Sequence, residues 1–64
     1  MVKINGEQLD AAGMTMAAYL RENGMETDRI AVELNGGILP KAEYESYVLS
    51  DGDTCEIVSF VGGG

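Results

Sequence analysis

The sequence predicts an α+β roll: a mixed sheet of four to five strands with one main helix packed across it. Three observations carry this. An alternating strand at the start runs straight into Asn5-Gly6, a strong two-residue hairpin signal. A short amphipathic segment lies between Thr15 and Gly24. A β-branched and aromatic stretch, residues 54–61, comes near the end. A strand reached after a helical crossover can lie parallel to the first by a right-handed connection. The sum is a mixed sheet with a helix on one face.

In order, Met1-Val2-Lys3-Ile4 alternates apolar and polar residues, the mark of a half-buried strand, and Glu7 to Asp10 is its return. Residues 11–14 connect. Thr15 is placed to cap a helix over residues 16–23, its hydroxyl taking an orphan backbone N–H. Met16, Tyr19, Leu20 and Asn23 share one face at three- and four-residue spacing, and Gly24 ends the helix. At two to three turns the helix needs the sheet for stability. Ile30, Val32 and Leu34 alternate on a further strand. Asn35-Gly36-Gly37 turns the chain into a short strand, Ile38-Leu39, which ends at Pro40 because proline cannot donate to a ladder. Lys41 to Ser46 reads as a loop or one helical turn anchored by Tyr44. Tyr47-Val48-Leu49 is a short strand candidate. Ser50 to Asp53 is a tight turn, with Gly52 supplying positive φ. In the last strand Cys55 and Ile57 face one way, and Glu56, Val58 and Phe60 the other.

Composition narrows the function. A 64-residue chain makes one small domain and leaves little room for both a core and a deep catalytic pocket. There is no histidine and one cysteine, so neither an internal disulfide nor a Cys/His zinc site can form. No metal or other cofactor is expected on the chain. Four Lys/Arg against eleven Asp/Glu give a net charge of −7. Nucleic acid and anionic membrane surfaces are poor partners for such a chain, and a partner with a basic face suits it. No apolar run is long enough to span a bilayer, and a cytoplasmic setting is expected.

The residues that stand apart are Val61-Gly62-Gly63-Gly64. Glycines carry no side-chain chemistry, accept φ of either sign and pass through narrow channels. Three of them reach roughly 10 Å when extended. The sequence thus divides into a body, residues 1–61, and a flexible glycine tail, residues 62–64. The bland alternative is a frayed end.

The order of these pieces resembles a known family. The opening strand with Asn5-Gly6, the Thr15-led helix, Val32-Glu33-Leu34-Asn35-Gly36, Leu39-Pro40, Asp51 to Val58 and the closing Val61 to Gly64 together resemble the sulfur carriers of the ThiS type, ubiquitin-like β-grasp proteins. The resemblance runs end to end. It departs at Cys55 and Asn23, where the family usually has apolar residues; both concern packing. The resemblance implies a β-grasp fold and a role as substrate rather than enzyme. A ThiF-type adenylyltransferase would consume ATP and Mg²⁺ to adenylate the Gly64 carboxylate. A sulfurtransferase fed by a cysteine desulfurase would supply the sulfur. Thiazole synthase (ThiG) would take that sulfur from the resulting thiocarboxylate for the thiazole of thiamine. Gly62 and Gly63 would thread the partner active sites, and the carrier alone would be a monomer. A related reading is the small subunit of molybdopterin synthase or another sulfur carrier. A ubiquitin-like modifier attached to lysines of target proteins is the reading from another class, and a plain interaction module is a fourth.

Other residues take structural readings. Val58 and Phe60, apolar on the face away from the core, are expected to form the partner interface with Val61. Cys55 is expected to be a buried, inert thiol. Asp51 and Asp53 fit turn chemistry better than metal binding. With Glu56 they are also candidates for acidic contacts near the tail. Met14, Met16 and Met25 are read as filler around the helix.

Overall fold

The computed structural model describes residues 1–60. Two hairpins and one helix account for most of it. β1 (Val2–Ile4) and β2 (Glu7–Leu9) form the first hairpin, α1 spans Met16–Glu22, β3 (Ile30–Leu34) and β4 (Gly37–Leu39) form the second hairpin, and β5 is Thr54–Ser59. Single 3-10 turns at Thr27–Arg29 and Lys41–Glu43 join these pieces. The five strands lie in the order β2-β1-β5-β3-β4. β5 is central, parallel to β1 and antiparallel to β3. This is the mixed sheet with one helix that the sequence predicts.

Both hairpins turn on the same chemistry. Asn5 and Gly6 have φ of 51° and 85°, and Asn35 and Gly36 have 50° and 88°. Two consecutive positive φ values match the right-handed twist of the flanking strands, and Asn-Gly supplies them at least strain.

The helix begins as expected. The Ala18 N–H donates to Thr15 Oγ1 at 3.1 Å, and Gly24 follows the helix with φ +69°. Its buried side is Met16, Ala17 and Leu20, with Tyr19 half-buried. Asn23, placed on the apolar stripe by its spacing, is exposed instead. It is the C-cap, and its Nδ2 donates to the Tyr19 carbonyl at 2.9 Å. The last turn has left the sheet, so a polar side chain there serves the orphan carbonyls.

The core lies between α1 and the inner sheet face. Val2 and Ile4 of β1, Ile30 and Val32 of β3, and Cys55 of β5 meet Met16, Ala17 and Leu20. Ala11, Leu39, Tyr44 and Leu49 close its sides, and Met14 and Met25 pack at its margin. Tyr44 anchors residues 41–46, as expected.

One element differs. Residues 47–49 form no strand of the sheet; they make an isolated bridge, Thr15 opposite Val48. The Met16 N–H donates to the Tyr47 carbonyl at 2.9 Å, and Leu49 exchanges bonds with Gly13 and Met14 at 2.8 Å. This segment is sealed to the helix entrance, where it buries Leu49. Three residues with an apolar bias pair with whatever backbone the fold brings near, and that choice is not local.

Candidate functional site

β5 is the strand that leads to the glycine run, and its two halves are held differently. The first half is bound on both sides. Asn35 donates its N–H to the Thr54 carbonyl at 2.7 Å, and its Oδ1 accepts the Thr54 N–H at 2.8 Å. On the other flank the Asn5 N–H donates to the Cys55 carbonyl at 2.9 Å. One step further, Asn5 Oδ1 accepts the Ile57 N–H at 2.7 Å and Nδ2 donates to the Ile57 carbonyl at 3.4 Å. The asparagine of each hairpin turn thus holds β5 by its side chain. Read from sequence alone, both are only turn residues; nothing local signals the distant backbone they reach.

Asp53 fixes the start of β5. Its Oδ2 accepts from the Tyr47 hydroxyl at 2.5 Å and from the Ser50 N–H at 3.0 Å, and its Oδ1 accepts from Asn35 Nδ2 at 3.0 Å. Burial pushes the Asp53 carboxyl up. The bonds from Tyr47, Asn35 and the Ser50 N–H outweigh that and hold it below the ordinary carboxylate range. The same bond to Asp53, aided by burial, pushes the Tyr47 phenol up to about 12. Asp51 pairs with the Met1 amino group. These bonds use Asp53 and Asp51 for structure. They also lie at the far end of β5 from Phe60, seven residues or roughly 23 Å for Asp53 at strand rise. The strand thus separates Asp51 and Asp53 from Phe60, the last described residue; the tail for which they were candidates lies outside the described residues. Glu56 sits midway, exposed.

The second half of β5 is held on one side only. The Phe60 N–H donates to the Arg29 carbonyl at 2.9 Å, which extends the β3 ladder one residue past Ser59. Val58 and Phe60 are each 56% exposed. Opposite Val58 lies Ala31, opposite Glu56 lies Glu33, and Glu33 in turn faces Ile38 of β4. Ile38, 70% exposed, thus shares the outer face with Val58. The sequence reading passed over it because a three-residue strand between glycine and proline shows too little alternation. Its buried neighbour Leu39 was the available signal. Val61, Gly62, Gly63 and Gly64 lie outside the described residues.

The Cys55 thiol is 1% exposed, and burial, then the Asp53 charge, push its pKa up, away from the nucleophilic thiolate. Among the described residues no cluster of His, Cys, Asp or Glu is arranged to hold a metal ion. None of their helices is long and apolar enough to cross a membrane. What the body offers is a firmly held strand and an outer face with exposed apolar side chains that runs up to Phe60.

Comparison with known proteins agrees with this arrangement. The model of the ThiS family matches residues 2–64. The chain is 38% identical to the sulfur carrier protein ThiS of Thermus thermophilus over the full length of both. It is 47% identical to a thiazole synthase of Paramagnetospirillum magneticum over 62 residues, which cover 95% of this chain but 19% of that protein. A thiazole synthase of Magnetococcus marinus matches in the same way, so the chain spans about a fifth of the length of these two relatives. The crystal structure of a thiamine biosynthesis protein (ThiS) from Geobacter metallireducens superposes with a TM-score of 0.76 at 28% identity, covering 98% of this chain and 97% of that one. That likeness bears out the β-grasp roll. By its sequence over nearly every residue and by its fold, the chain belongs to the ThiS family.

Proposed function

We propose that this protein is the sulfur carrier of thiamine thiazole synthesis and that its working group is the C-terminal carboxylate of Gly64. The observation that carries this reading is the build of β5. The strand is fixed at its start by Asn35, Asn5 and Asp53, and ends at Ser59, followed by an exposed Phe60 two residues before the glycine run. The full-length likeness to a protein named as a sulfur carrier supports it.

The chemistry belongs to partners. A carboxylate is a poor electrophile. In the adenylyltransferase its oxygen attacks the α-phosphorus of ATP, pyrophosphate leaves, and Mg²⁺ offsets the phosphate charge. The acyl-adenylate now has a good leaving group. The outer sulfur of a sulfurtransferase persulfide attacks the Gly64 carbonyl carbon, and AMP departs to leave an acyl disulfide. A second thiol of the transferase then attacks that S–S bond, forms the transferase's own disulfide and releases the thiocarboxylate for thiazole synthase. Gly62, Gly63 and Gly64 serve by having no Cβ to obstruct the channel or the approach to that carbon. Val58, Phe60 and Val61 form the docking face beside it, with Ile38. The chain binds no cofactor of its own, contributes no catalytic group and acts as a monomer. The setting we propose is the cytoplasm, where a free thiol such as Cys55 stays reduced.

Deleting Gly64 tests this reading. ATP–pyrophosphate exchange with the cognate adenylyltransferase should fall to background while the circular dichroism and urea midpoint stay unchanged. Normal exchange by the folded, truncated protein would refute the proposal.

A further inference from the structure

Among the described residues the backbone of β5 has one open position, and it lies next to Phe60, two residues before the glycine run in sequence. In the β3–β5 ladder the bonded pairs are set by Asn35 N–H to Thr54 at 2.7 Å and Phe60 N–H to Arg29 at 2.9 Å. Backbone groups alternate in direction along an antiparallel strand. Thr54, Glu56, Val58 and Phe60 therefore turn theirs toward β3, and Cys55, Ile57 and Ser59 turn theirs toward β1. But β1 pairs only as far as Ile4 opposite Cys55. Asn5 then covers Cys55 with its own N–H and Ile57 with its side chain. Among the described residues nothing meets the N–H or the carbonyl of Ser59. Beside it is an open groove of about 450 Å³, whose lining includes Asn5, Met25, Glu26, Ile30 and Ile57.

We infer that an extended segment of the thiazole synthase adds as a strand to this edge, pairing with the N–H and carbonyl of Ser59 where β1 stops. The inference rests on the proposed carrier function. A donor and an acceptor on one residue of an open sheet edge fit another extended chain, which presents the matching pair at the same spacing. Alternate side chains of that strand would enter the groove against Met25, Ile30 and Ile57. Position argues for the same occupant. Ser59 stands three residues before Gly62, so a protein that takes in the glycine run must bring the mouth of its channel beside this edge. The added strand would fix the direction in which the glycines enter.

Two substitutions at one residue separate backbone from side chain. Ser59→Pro removes the N–H, which the β3 ladder does not use. Proline is tolerated on the open edge of a strand, and Val58 before it is already extended. Ser59→Ala keeps the N–H. With the thiazole synthase of the same organism, Ser59→Ala should bind as the unaltered chain does. Ser59→Pro should fold and bind roughly tenfold more weakly, as expected for losing one hydrogen bond and leaving the partner's acceptor unpaired. Equal binding by folded Ser59→Pro overturns the inference. Should that variant fail to fold, amide exchange in the unaltered chain decides. Ser59 N–H exchange should slow at least about tenfold in the complex, as a hydrogen-bonded amide does, and unchanged exchange in a formed complex overturns the inference. A chain that carries sulfur yet does not bind the synthase overturns it too. Failure of the carrier reading looks different: the unaltered chain would gain no thiocarboxylate at all.

Discussion

The two halves of β5 make opposite use of one strand. From Asp53 to Ile57 it is gripped on both edges by backbone and asparagine side chains, and Cys55 lies in the core. From Val58 to Phe60 it is held by β3 alone, and Val58 and Phe60 are exposed. The difference teaches where a very small domain puts stability and where it puts function. Stability sits at the start of the strand and under the helix. The far end is left exposed, and in the proposed reading a partner covers it. Changes at the start should therefore unfold the protein and spare its chemistry, and changes at the end should do the reverse.

The largest expected effect on folding is under the helix. Leu20 is fully buried, and Leu20→Ala should cost about 2–5 kcal/mol in urea unfolding, much of the stability of so small a domain. A loss well under ~1 kcal/mol would mean that the helix–sheet core is not what holds β5. Next is Cys55→Ser, which buries a hydroxyl in place of a thiol and should cost about 1–3 kcal/mol. The folded variant should still carry sulfur. Loss of carriage without loss of fold would place Cys55 in the chemistry and break the division along the strand.

The Tyr47–Asp53 bond gives a smaller effect that depends on pH. Tyr47 titrates near 10.0 when unconstrained and is pushed up to about 12 in the fold. Its contribution is whole below pH 10 and is lost as pH rises through about 12. Asp53 is held below its ordinary value, so its contribution is whole above the unfolded carboxylate value and is lost as pH falls through the lower, folded one. Between pH 10 and 12 the urea midpoint should fall further in the unaltered protein than in Tyr47→Phe. Parallel curves would remove the bond from the anchor. The smallest effect on stability is at the far end. Phe60→Ala should change unfolding by no more than about 0.5 kcal/mol, as expected of an exposed side chain. It should nonetheless weaken binding to the thiazole synthase measurably, and unchanged affinity would take Phe60 out of the docking face.

How much of this could be read from sequence followed the range of each interaction. Both hairpins were legible because Asn-Gly encodes its own backbone conformation. The helix was legible because Thr15 and Gly24 mark its limits locally. The parallel placement of β1 and β5 followed from chain order and handedness. The outward direction of Val58 and Phe60 was legible because it follows from alternation with Cys55. What was missed depends on distant partners. Asn5 and Asn35 reach β5 across 52 and 19 residues, and Asp53 gathers Tyr47, Ser50 and Asn35. Residues 47–49 have the composition of a strand but pair with the helix entrance instead of the sheet. Ala17 entered the core without a signal because a small residue contributes little to an apolar stripe.

The central claim is that the body exists to present a C-terminal carboxylate that carries sulfur. The most direct measurement is the intact mass of the protein purified from its own host under conditions of thiamine synthesis. The account predicts a fraction in which one oxygen is replaced by sulfur, with fragmentation placing the change at Gly64. A chain that stays wholly unmodified while the host makes thiazole, or that carries the added sulfur on Cys55, would contradict it.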